Sequence, residues 1–195
     1  MRNNVAHALA WVLVLAMPQI AQSKAVTVLG SSNGMECYLN ASMYGASGTG
    51  LAVCRKALKD GNLGPRDRAA THVNMGIILN AMSRTDEALR SFNKALKISP
   101  KLPEAVLSRG NSHFMRKDYD LAIADYQASI DLGISRKSAA HFNHGLAHRG
   151  NKNYEEAAKS FRRALQVAPE MKIAQDHLER LYVMKLVARP ASANP

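Results

Sequence analysis

Small and aromatic residues recur at fixed intervals through the middle of this chain, with polar residues between them. The intervals are 34 and 35 residues, and the recurring positions are Gly76, Gly110 and Gly145, then Ala88, Ala122 and Ala157, then Phe92, Tyr126 and Phe161, and finally Ala95, Ser129 and Ala164. A repeat of this length predicts stacked pairs of helices, because each pair needs its neighbours to bury its apolar face. We therefore predict an all-α fold.

Breaks in this pattern divide the chain into units. Pro100 and Pro169 end two of the units, and Ile134 holds the equivalent position in the middle one. We predict three helical hairpins followed by one amphipathic helix, with the boundaries 69–102, 103–136, 138–171 and 172–187. The last helix would cap the open end of the stack, as repeat arrays require. We expect the last residues, 188–195, to be disordered.

The recurring residues resemble the tetratricopeptide repeat, in which a small residue in the first helix is followed by alanine, an aromatic residue, alanine and proline. The resemblance extends over residues 69–171 in three copies. It departs from the family pattern at His72, Val106 and His141, where an aromatic residue is usual. The resemblance implies a right-handed α-solenoid and a scaffold or adaptor that binds other proteins, but it does not indicate which partner is bound.

The N-terminus has the layout of a secretory signal peptide. Arg2 precedes an apolar run at residues 8–17, and small residues follow with the spacing of a cleavage site. We predict that residues 1–23 are removed after Ser23, with Ala25 as the alternative site. The run is shorter than the roughly 20 residues that span a bilayer, although an uncleaved anchor stays open. A periplasmic or secreted protein without an integral membrane segment is the expected product.

The chain carries a formal net charge of +11, from 26 basic and 15 acidic residues. Such a charge can attract anionic partners by long-range steering. Nucleic acid is a poor candidate, because an exported protein meets little of it and aromatic residues are not interleaved with the basic ones. An acidic protein and an anionic envelope surface both stay open, beside the simpler interpretation of a solvated cationic face.

Two cysteines, Cys37 and Cys54, lie before the three repeats. An even count after a signal peptide favours a disulfide. We interpret residues 34–64 as a degenerate helical hairpin, in which Cys54 takes the position of Phe92 and the bond replaces missing aromatic packing. In the chain-entropy model, a loop of this size adds about 3 kcal/mol of stability. A metal-binding or redox pair is the alternative.

Stacked hairpins curve, and their first helices line the concave side. The positions between the packing residues there are apolar or carry amides: Val73, Asn74, Ile77, Asn80, Leu107, Asn111, Phe114, Met115, Phe142, Asn143, Leu146 and Arg149. Apolar side chains could accept partner side chains, and amides could bond an extended backbone. The competing interpretation is that these residues pack against the capping helix or a second copy of the chain.

Three histidines, His141, His144 and His148, are spaced three and four apart on one side of a predicted helix. This spacing can place imidazoles together for a transition metal, so a metal-binding envelope protein is the alternative function. Histidines that only pack within the fold are the other interpretation. The sequence shows no nucleophile motif, no H-E-x-x-H and no dinucleotide loop, so we expect no enzyme activity and no cofactor.

Processing of the N-terminus is directly testable. Expression of the full chain in an exporting bacterial host should give a mature protein that begins at Lys24, or at Val26 if the alternative site is used. N-terminal sequencing of the envelope fraction measures this start. A protein that still begins at Met1 would show that the segment is an anchor rather than a cleaved signal.

Overall fold

The computed structural model describes residues 25–27, 32–44, 47–184 and 186–189, and these ranges contain helices but no strand. In chain order the elements are α1 (Ser32–Leu39), a π-helical turn (Asn40–Tyr44), α2 (Gly48–Lys59), α3 (Pro65–Ala81), α4 (Thr85–Ile98), α5 (Pro103–Met115), α6 (Tyr119–Asp131), α7 (Lys137–Gly150), α8 (Tyr154–Val167) and α9 (Lys172–Val183). The all-α prediction is confirmed. The predicted signal peptide and the end of the predicted tail lie outside the described residues.

Consecutive helices form the hairpins α1–α2, α3–α4, α5–α6 and α7–α8, and α9 packs on α8. The first helices of the three repeats also touch one another, because α3 contacts α5 and α5 contacts α7. Proline at the first turn of α3 and of α5 fits these starts, since its fixed φ and missing N–H cost nothing there. The stack therefore places α3, α5 and α7 side by side.

The recurring glycines lie where two helices approach closely. A Cβ at Gly76 would stand 2.5 Å from Cε1 of Phe92, and one at Gly145 would stand 2.7 Å from Cδ1 of Phe161. Both aromatic rings are fully buried. Each ring therefore fills the space that the missing side chain leaves, which is why small and aromatic residues recur together in the sequence.

The turn inside each repeat hairpin has one geometry. Ser83, Lys117 and Lys152 all have positive φ, at 59°, 66° and 63°. The residue after each of them donates its N–H to a carbonyl five positions earlier, as Arg84 does to Leu79 at 2.8 Å. This is the Schellman end of a helix, which usually takes glycine. None of the three positive-φ residues is glycine, so the sequence pattern does not reveal the motif.

The N-terminal hairpin is closed by a disulfide between Cys37 in α1 and Cys54 in α2. Both cysteines are fully buried in a core cluster that also contains Val73 and Phe92 of the first repeat. The hairpin thus continues the apolar core of the stack toward the N-terminus.

Some boundaries differ from the predicted ones. The first helix of repeat one begins at Pro65, four residues before the predicted unit. Helix α9 ends at Val183, whereas the apolar stripe predicted a helix to residue 187. The chain turns after Val183, which is exposed, and the N–H of Leu186 bonds to the carbonyl of Leu181, so that Val187 is buried by a turn instead of a further helical turn.

The glycine–aromatic contact predicts a clear stability difference. Gly76→Ala should lower the free energy of unfolding by about 1–3 kcal/mol, because the new methyl group overlaps the ring of Phe92. Gly48→Ala is the matched control, since a Cβ at that helical glycine meets no atom within 4 Å. Urea unfolding followed by circular dichroism measures both. Equal stability of the two variants would contradict the packing described here.

Candidate partner-binding groove

A short non-helical segment, residues 25–27, lies against α3 and is held by one side chain. The N–H of Val26 donates to Oδ1 of Asn74 at 2.6 Å, and Nδ2 of Asn74 donates to the carbonyl of Val26 at 2.7 Å. Asn74 is 0% exposed. One amide therefore bonds both polar groups of one backbone residue, which is how a residue of an antiparallel strand pairs with its neighbour.

The structure places the twelve predicted groove residues on α3, α5 and α7 but leaves few of them open. Seven are buried: Val73, Asn74, Leu107, Asn111, Phe142, Asn143 and Leu146. Ile77, Asn80, Phe114 and Arg149 are half-buried, and Met115 is 41% exposed. The predicted residues therefore do not form an open binding surface. A partner could contact most of them only after the elements that bury them have moved.

Three of the four amides among these residues, those of Asn80, Asn111 and Asn143, link neighbouring repeats. Nδ2 of Asn80 in α3 lies 2.8 Å from Oγ of Ser112 in α5. Oδ1 of Asn111 in α5 accepts from the hydroxyl of Tyr126 at 2.9 Å and from Nδ2 of Asn143 in α7 at 3.0 Å. A buried amide without partners costs about 1–3 kcal/mol, so these bonds help to fix the register of the stack.

Helix α9 covers the third repeat. Phe142 and Leu146 share a core cluster with Leu178 and Leu181 of α9. The ring of His177 in α9 lies 5.4 Å from that of Phe142, and its Nδ1 is hydrogen-bonded to Arg149. At the C-terminal end of the stack, the geometry therefore favours the interpretation that the predicted groove residues pack against the capping helix.

Beside the segment 25–27 lies a cavity of about 410 Å³. Its described lining comes from the segment, from the start of α3 and α5, and from the loops after α4 and α6: Ala25, Val26, Thr27, Arg66, Ala70, Ser99, Leu102, Glu104, Leu107, Ile134, Ser135 and Arg136. The volume falls in the range of ordinary ligand pockets. Of these residues only Leu107 belongs to the twelve predicted from the sequence. Most of the others lie in the segment or in loops, which carry no helical periodicity.

The three clustered histidines are packed within the fold. Nδ1 of His144 lies 3.0 Å from Oγ of Ser160, and the rings of His144 and His148 meet edge to face at 4.5 Å. Burial, aided by the charges of His148 and His141, lowers the pKa of His144 to about 4. No three His, Cys, Asp or Glu side chains of the described ranges are arranged to hold a metal ion. The geometry therefore does not favour the metal alternative.

Stacked two-helix units with glycine–aromatic contacts define a helical-repeat protein. Two family models, both described as the tetratricopeptide repeat, match residues 73–139 and 138–171. The chain belongs to the tetratricopeptide repeat family, and the resemblance seen in the sequence is confirmed. Across the part of the chain that the structure describes, no helix is both long enough and apolar enough to cross a membrane.

Curated relatives share only part of their length with this chain. Mouse peptidyl-prolyl cis-trans isomerase FKBP4 is 33% identical over 72 residues, which cover 37% of this chain and 16% of FKBP4. Human tetratricopeptide repeat protein 13 is 31% identical over 102 residues, which cover 51% of this chain and 11% of that protein. The isomerase activity in the name of FKBP4 belongs to a protein of which this chain matches a small part.

Solved structures show the same fold. The first TPR domain of Spaghetti (RPAP3), bound to the HSP90 peptide SRMEEVD, has a TM-score of 0.59 at 21% identity, covering 63% of this chain and 96% of that one. MamA from Desulfovibrio magneticus RS-1 has a TM-score of 0.67 at 21% identity, covering 80% of this chain and 88% of that one. At these identities the similarity establishes the architecture alone.

Stability should fall with acidity because of buried histidines. Burial lowers the pKa of His72, His144 and His177 to about 4, whereas an unfolded histidine titrates near pH 6.5. Between these values the unfolded chain binds more protons than the folded one, so the folded state loses stability as the pH drops through this window.

We therefore expect a lower melting temperature at about pH 5 than at about pH 7.5, with His144 accounting for at most about 2 kcal/mol of the difference. His144→Gln should reduce the pH dependence, because glutamine does not titrate. Differential scanning calorimetry at both pH values measures the effect. An unchanged pH dependence in the variant would show that folding does not lower the pKa of His144.

Proposed function

We propose that this protein is a non-catalytic scaffold or adaptor that binds a partner protein at the cavity between residues 25–27 and the loops after α4 and α6. The observation that carries the proposal is the contact between Asn74 and Val26, because it shows this face holding a non-helical stretch of backbone. Backbone bonds supply affinity without selecting a side chain. An extended segment of a partner protein is therefore the ligand that the site fits.

The cavity lining supports this choice of ligand. Leu102 and Ile134 provide apolar surface, and Arg66 and Glu104 provide charge of both signs. Protein ligand sites combine apolar walls with a few polar groups in this way. The RPAP3 domain, which shares the fold, is bound to a peptide in its solved structure. That likeness supports a peptide-like ligand here.

A clamp of lysine, arginine and asparagine for a C-terminal carboxylate does not fit this chain. Resemblance to other tetratricopeptide repeats implies that such a clamp needs polar or basic groups at three positions, which are occupied here by Val73, Ile77 and Ala139. Val73 and Ala139 are also buried in the structure. The partner segment is therefore proposed to bind through its backbone and apolar side chains, rather than through a free carboxylate.

We propose the periplasm or the exterior of the cell as the place of action. Two features support this location: the signal-like layout of residues 1–23 and the bond between Cys37 and Cys54. Disulfides persist in oxidising compartments and are rare where thiols are kept reduced.

Site-specific photo-crosslinking tests the function. A photoreactive amino acid replaces Ser135, an exposed residue of the cavity lining, and the matched control replaces Lys97, an exposed residue of α4 outside it. We expect partner adducts from position 135 and none from position 97, because only the first faces the proposed site. The measurement is mass spectrometry of adducts recovered from the envelope fraction.

The control position also tests binding by charge. The net charge of +11 would allow the outer helices to associate with anionic surfaces. Adducts from position 97 that disappear at high salt would indicate such an association, because exposed charges are screened there. Adducts from position 97 alone would contradict binding at the cavity.

A further inference from the structure

We propose that residues 25–27 occupy the partner site of their own chain, and that a partner segment binds by displacing them. This inference rests on the proposed function of the cavity. In the free protein, the site is then filled by a segment of the same chain, and Val26 takes the place of a ligand residue. Residues 25–27 are called the resident segment below.

The bonds to Asn74 explain why displacement is required. Its amide has one oxygen and one nitrogen facing Val26, and both are bonded to that residue, at 2.6 and 2.7 Å. Asn74 is 0% exposed, so no second backbone can reach the amide while Val26 is there. A partner segment that uses this amide must therefore take the position of Val26.

The packing around Val26 describes the chemistry of the competing segment. Val26 packs against a small apolar cluster of Ala57, Leu63 and Ala70, and both Ala25 and Val26 pack against the core cluster that contains the disulfide. Thr27 is exposed. A competitor should therefore be extended, with a small or β-branched aliphatic residue opposite Asn74 and few restrictions on the residue after it.

The position and the short tether of the resident segment determine how strongly it competes with a partner. The segment forms one wall of the cavity, and Leu102 and Ile134 line it from the two loops. Thr27 and the start of α1 at Ser32 are five positions apart in the sequence. A tether this short keeps the segment at a high effective concentration, so a free competitor binds weakly until the segment is disabled.

A peptide with the sequence of the chain itself tests the inference. The probe is a dye-labelled peptide of residues 24–30, Lys-Ala-Val-Thr-Val-Leu-Gly, titrated against the full chain by fluorescence anisotropy. Val26→Pro removes the N–H that bonds to Asn74, and Thr27→Ala is the matched control on an exposed neighbour. We expect the Val26→Pro chain to bind the peptide at least about tenfold more tightly than the wild-type and control chains, a difference of about 1.4 kcal/mol.

A second pair of variants tests whether Asn74 is the binding group. In the Val26→Pro background, Asn74→Leu should abolish peptide binding, because leucine has a similar shape but no polar groups. Asn80→Leu makes the same change in the same helix, at an amide bonded to Ser112, and should leave binding in place. Circular dichroism of each chain verifies that it is folded.

Equal peptide affinity in the wild-type and Val26→Pro chains would overturn the inference. So would an Asn74→Leu chain that is folded and still binds. A wild-type dimer that becomes monomeric with Val26→Pro, measured by light scattering, would also overturn it, because the segment would then occupy a second copy. Adducts at position 135 would still support the proposed function in each of these cases, so the two failures are distinguishable.

Discussion

The contact between a glycine of one helix and an aromatic ring of the next determines the rest of this structure. Gly76, Gly110 and Gly145 admit the buried rings of the second helices, and a single methyl group would overlap each ring. This close approach sets the distance within each hairpin. Because neighbouring hairpins must share their apolar faces, it also sets α3, α5 and α7 side by side. The amide bonds between repeats and the cavity beside residues 25–27 are consequences of that arrangement.

The helical hairpins and their packing positions were predictable from the sequence, because a local repeating pattern encodes them. Intervals of 34 and 35 residues located the packing positions, because each position is occupied by a small or an aromatic residue in all three copies. The hairpin turns were less visible, since Ser83, Lys117 and Lys152 adopt positive φ without glycine. Roughly 1–2 kcal/mol of strain at such a residue is tolerated where the surrounding bonds fix the turn.

The candidate site was predicted only in part, for a physical reason. Periodicity identifies which residues of α3, α5 and α7 face inward, but it does not tell what covers them. Asn74 is covered through a contact with Val26, 48 positions away, and Phe142 through α9. Contacts of this range depend on where segments outside the repeats fold. The same limit explains why the predicted amides were assigned to a ligand, although Asn80 and Asn111 bond to side chains of neighbouring repeats.

The two ends of the row formed by α3, α5 and α7 are closed by interactions of different strength. At the C-terminal end, α9 buries a cluster that includes Leu178 and Leu181, and each fully buried leucine contributes about 1.5–3 kcal/mol. At the N-terminal end, where the hairpin α1–α2 also packs on α3, a three-residue segment is held by two hydrogen bonds and a small apolar contact, and each bond contributes about 0.5–1.5 kcal/mol. The segment is therefore the easier element to displace. A partner that competes for this face therefore gains access more readily beside Asn74 than beneath α9. This difference places the binding site at the N-terminal end of the row of first helices.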